Sequence, residues 1–175
     1  REKEQESEIQ ILSRKIAKTP EDIDLLYSRV NYNKSRNNLE SALFDLKEIV
    51  RLDSLNATNQ FNIADIYFEL FKDKNTSPKY PSLVRYHLQQ SIRLDNKNTE
   101  SLSLMGELFL AYNKYEDAIK LFNQSLKIEY NQEKTHLLLG YAFKQLMQND
   151  DAINCFRNAV NIKPDFFEAH MQLGQ

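Results

Sequence analysis

Sliding the chain along itself by 34 residues lays its C-terminal half on itself. Leu104 falls on Leu138, Gly106 on Gly140 and Phe109 on Phe143; Asp117-Ala118-Ile119 falls on Asp151-Ala152-Ile153; Phe122 falls on Phe156 and Ile128 on Ile162. One period further, His136 and Leu139-Gly140 fall on His170 and Leu173-Gly174. No other feature constrains the fold as much. A period of this length is one supersecondary unit that cannot bury both its faces alone, so neighbouring units must stack and share a core.

Inside each period the apolar residues recur three or four apart, the spacing of one helix face. Leu102, Met105, Leu108 and Phe109 form one stripe; Ala118, Ile119, Phe122 and Leu126 form the next, which breaks near Tyr130. Each period is therefore two helices joined by a tight turn, with Asn37-Asn38, Asn113-Lys114 and Asn149-Asp150 as the turn residues. Only 3 Gly and 4 Pro in 175 residues leave room for long helices and little for a turn-rich β-sandwich. Near the N-terminus, Ile9, Leu12 and Ile16 make a helical stripe, and Thr19-Pro20-Glu21-Asp22 reads as a capping box with Pro in the first turn of the next helix.

Composition narrows the function. Hydrophobic residues make up 41% and charged residues 27%, enough for a core. The net charge of -2 supplies no field to recruit nucleic acid or an anionic membrane. No apolar run is long enough to span a bilayer. A single Cys155 excludes an internal disulfide and a multi-cysteine metal site, without fixing the compartment, whether periplasm, cell envelope or cytoplasm.

The residues resemble the tetratricopeptide (TPR) repeat family: a first-helix Leu-Gly, an aromatic, then Ala, an aromatic, a small residue and Pro. Residues 133–166 carry the pattern most fully, with Leu139, Gly140, Phe143, Ala152, Phe156, Ala159 and Pro164. Residues 99–132 keep Met105, Gly106, Phe109, Ala118, Phe122 and Ser125, with Tyr130 in place of Pro. Residues 57–98 match through Ile63, Ala64, Tyr67, Val84, Leu88 and Ser91, with extra residues between the helices near 71–80. Residues 23–56 are divergent: Val30, Ala42, Leu46 and Ile49 match, but Arg29 and Asn33 replace apolar positions. Residues 9–22 read as the second helix of an incomplete repeat, 167–175 as the start of a further one, and 1–8 as a polar extension. The resemblance implies an all-α solenoid of antiparallel helix hairpins. Gly106, Gly140 and Gly174 would let a first helix lie close to its partner, Ala118 and Ala152 would do so from the second helix, and Phe122 and Phe156 would fill the space between repeats. On that register Ala152→Leu overpacks a helix contact.

Side chains able to carry chemistry have packing roles in this register. His136 and His170 occupy one repeat position a period apart, too far to share a metal ion. His87 has no ligand partner in sequence, and Cys155 has no adjacent base. The glycines lie in helix patterns rather than after strands, so no phosphate loop is present. Asp150-Asp151 suits a helix start. The pattern points away from an enzyme and implies no cofactor and no metal.

In TPR proteins the first helices line a concave groove. Carried over, the groove positions are Asp24, Tyr27, Asn31 and Lys34; Thr58, Phe61, Asp65 and Phe68; Glu100, Ser103, Glu107 and Leu110; and Lys134, Leu137, Tyr141 and Lys144. Tyr27, Phe61, Phe68, Leu110, Leu137 and Tyr141 are apolar positions that the hairpin core does not require in this register, the composition of a partner surface. Asn31 and Asn62 match two positions of the family's carboxylate clamp, but Tyr27, Glu100 and Leu104 stand where its cations belong, which argues against that ligand. The expected function is a protein-interaction scaffold binding a peptide or helix of a partner, with modest, salt-insensitive affinity. The alternative is a non-catalytic arm of a larger enzyme or cell-envelope assembly. An open-ended stack also allows self-association.

Overall fold

The computed structural model describes residues 7–72 and 77–174. Ten α-helices and no strands occur among the described residues. They are α1 (Glu8–Lys18), α2 (Ile23–Ser35), α3 (Leu39–Leu52), α4 (Ala57–Lys72), α5 (Tyr80–Leu94), α6 (Thr99–Ala111), α7 (Tyr115–Ile128), α8 (Glu133–Gln145), α9 (Asn149–Ile162) and α10 (Phe167–Leu173). The chain divides into two compact units, Arg1–His87 and Leu88–Gln175. In the first, α2 packs on α1 and α3, and α3 on α4; in the second, α6 packs on α7, α7 on α8, α8 on α9 and α9 on α10.

The turn inside a hairpin is the same motif three times. Asn37, Asn113 and Met147 have φ of 56°, 58° and 60°, the left-handed conformation that ends a helix. The next residue's N–H then reaches back five positions: Asn38 to the Asn33 carbonyl (2.8 Å), Lys114 to Phe109 (2.9 Å) and Gln148 to Phe143 (3.0 Å). Two of the three bends use Asn, which tolerates positive φ. The third differs from the expectation of Asn149-Asp150: the bend falls on Met147, and both of those residues lie in the first turn of α9.

The capping box expected at Thr19–Asp22 does not form. Asp22 alone caps α2, its carboxylate accepting from the Leu25 N–H at 3.1 Å. Thr19 closes α1 instead, its hydroxyl donating to the Lys15 carbonyl, and Pro20 lies outside both helices. A box-like pair occurs at the start of α1, where Gln10 Oε1 accepts from the Ser7 N–H at 2.8 Å. Residues 1–6 of the expected polar extension lie outside the described residues. Part of the extra length near 71–80 lengthens a helix: α4 has 16 residues against 13 in α6 and α8, and residues 73–76 lie outside the described ones.

The core of the second unit is built on the small-residue positions. Phe122 and Phe156 are fully buried, each contributing about 2–3 kcal/mol from burial. A Cβ on Gly106 would come within 2.6 Å of the Phe122 ring, and one on Gly140 closer still to Phe156. The glycine therefore admits the aromatic of its own hairpin, rather than bare helix against helix. At Gly174 a Cβ would meet only its own helix's carbonyls, at 3.7 Å and beyond. Ala118, Phe122 and Leu126 form one cluster with Leu139 and Cys155; Ala152, Phe156 and Ala159 form the next with Leu137 and Ala169. In the α2–α3 hairpin the Gly–Phe pair becomes Val30 and Leu46, both buried: the larger residue on one helix accompanies the smaller on the other.

Candidate partner-binding surface

Several predicted groove residues meet one another across consecutive first helices. In the first unit Lys34 on α2 pairs with Asp65 on α4 at 3.0 Å. In the second, Lys134 on α8 pairs with Glu107 on α6 at 2.8 Å, and Lys144 Nζ donates to Gln172 Oε1 on α10 at 2.9 Å. Within each unit these side chains therefore share one surface. The ion pairs are solvent-facing, worth about 0–1 kcal/mol each.

The apolar members divide. Phe61, Leu110 and Tyr141 are half-buried, Leu110 and Tyr141 packed against the core clusters. The Tyr141 ring stands edge-on to Phe156, centroids 5.7 Å apart. Phe68 is 3% exposed and Leu137 7%, so both belong to the core and offer no free face, contrary to the sequence expectation. Leu137 packs with Ala152, Phe156 and Ala159 on α9 and Ala169 on α10, and Phe68 lies beside Phe71 at 6.0 Å. Tyr27 is half-buried, its hydroxyl donating to Asn59 Oδ1 and accepting from Asn62 Nδ2, and burial raises its pKa. Asn31 is exposed. Ser103 is used up in a network: its hydroxyl meets Ser125 at 3.0 Å and Thr135 at 2.9 Å, tying α6 to α7 and α8.

Of the residues assigned packing roles, His136 and Cys155 are buried and His87 half-buried, but His170 is exposed. His136 and His170 each bond through Nε2 to a carbonyl six residues back, Tyr130 at 3.1 Å and Pro164 at 2.7 Å. His87 Nδ1 meets Gln60 Oε1 at 2.9 Å, and burial, helped by the charge of Lys47, pushes its pKa down to about 4. Cys155 is buried and its pKa pushed up to about 11, the reverse of what a nucleophile needs. No group of His, Cys, Asp or Glu among the described residues is arranged to hold a metal, and none of their helices is long and apolar enough to cross a membrane.

One set of polar residues is only partly visible in the sequence. Arg29 and Asn33 stand out there as polar at apolar positions, but Asp45 hides one place before Leu46 in an otherwise ordinary helix. The structure brings all three to one cleft.

Residues 133–166 match the tetratricopeptide repeat family model. No curated protein matches the chain by sequence. Among solved structures the chain is similar to TTC0263, a thermophilic TPR protein in Thermus thermophilus, at 14% identity and TM-score 0.77, over 95% of this chain and 87% of that one. It is similar to MamA from Desulfovibrio magneticus RS-1 at 18% identity and TM-score 0.72, over 87% and 81%. It is also similar to YrrB, a TPR protein with an unusual peptide-binding site, at 18% identity and TM-score 0.52, over 95% and 100%. With one tetratricopeptide repeat matched by sequence at 133–166, the chain has the all-α helix-hairpin fold of these TPR structures.

Proposed function

We propose that the first-helix surfaces bind an extended peptide or a helix of a partner protein, and that the chain is a non-catalytic scaffold. The observation that carries the reading is the linking of predicted groove residues from one first helix to the next, Lys34 to Asp65 and Lys134 to Glu107. Such pairs give a polar frame to the helices that also carry the half-buried Phe61 on α4, Leu110 on α6 and Tyr141 on α8. Charge within the frame is balanced, so contact with a peptide rests on shape and apolar anchors, and affinity changes little with salt. The peptide-binding site of the structurally similar YrrB supports a peptide as the ligand class.

A peptide selected from a displayed random library against the whole chain supplies the test. Phe61→Ala and Tyr141→Ala should weaken its binding about tenfold or more each, the usual loss at an apolar anchor. Unchanged affinity in both variants, with the fold intact, overturns the reading.

A further inference from the structure

We draw no further inference here: the strongest candidate, the pocket of about 340 Å³ in the second unit lined by Lys144 of α8, Ala152, Ile153 and Phe156 of α9 and Leu173 of α10, carries nothing because nothing in the structure shows what covers its apolar residues.

Discussion

Phe122 lies against Gly106 so closely that a Cβ on the glycine would sit 2.6 Å from the ring's Cε1. Because the ring is fully buried, it has nowhere to retreat. Alanine at position 106 gains about 1 kcal/mol of helix propensity but forces the core apart at a cost of about 1–3 kcal/mol. Gly106→Ala and Gly140→Ala should therefore lower the urea midpoint. Gly174→Ala, which meets no side chain, should leave stability unchanged or raise it by up to about 1 kcal/mol.

Met147 occupies the left-handed position that Asn37 and Asn113 fill in the other hairpins, and its side chain is exposed. The strain is local and the side chain has little packing to lose. Met147→Asn or Met147→Gly should stabilise the chain by about 0.5–1 kcal/mol in denaturant unfolding.

The Arg29–Asp45 pair makes opposite predictions for one substitution and for two. Asp45→Leu strands a guanidinium that keeps only 20% of its side-chain surface in water, and should cost about 3 kcal/mol. Arg29→Met with Asp45→Leu installs the residues found at the same positions of α6–α7, and should bring stability back to within about 1 kcal/mol of the parent or above it. Chemical denaturation of the three proteins measures both numbers.

His87 is held neutral in the fold, with a pKa depressed to about 4 by burial and by Lys47. Unfolding releases it to about 6.5, so the unfolded chain binds the extra proton. Stability is full above that value, falls as pH drops from about 6.5 to about 4, and levels off below. Burial lowers His136 as well, so it acts in the same direction. Thermal melts across this range should show the decline, and His87→Gln should make it shallower.

Much of the fold is legible because the repeat reports itself: the period alone lays Gly106 on Gly140 and Phe122 on Phe156, while the seating of each ring against the glycine of its own hairpin is seen only in the structure. The turn at Met147 is not, since Asn at 37 and 113 marks the bend by residue type and Met does not. Phe68 and Leu137 read as surface residues because the carried-over groove register puts them there, whereas Leu137 packs with Ala152, Phe156, Ala159 and Ala169 and Phe68 lies beside Phe71. The Arg29 anomaly is visible, but its partner is not: Asp45 is sixteen residues away, and only the packing of α2 on α3 joins them.

The claim that partners lie on the first helices is tested most directly by position-specific photo-crosslinking to a selected peptide. With the crosslinker at Asn31 or Lys144, exposed on α2 and α8, the peptide should be captured. At Gln124 or Asn154, exposed on α7 and α9, it should not. Capture from the second-helix positions alone would contradict the account.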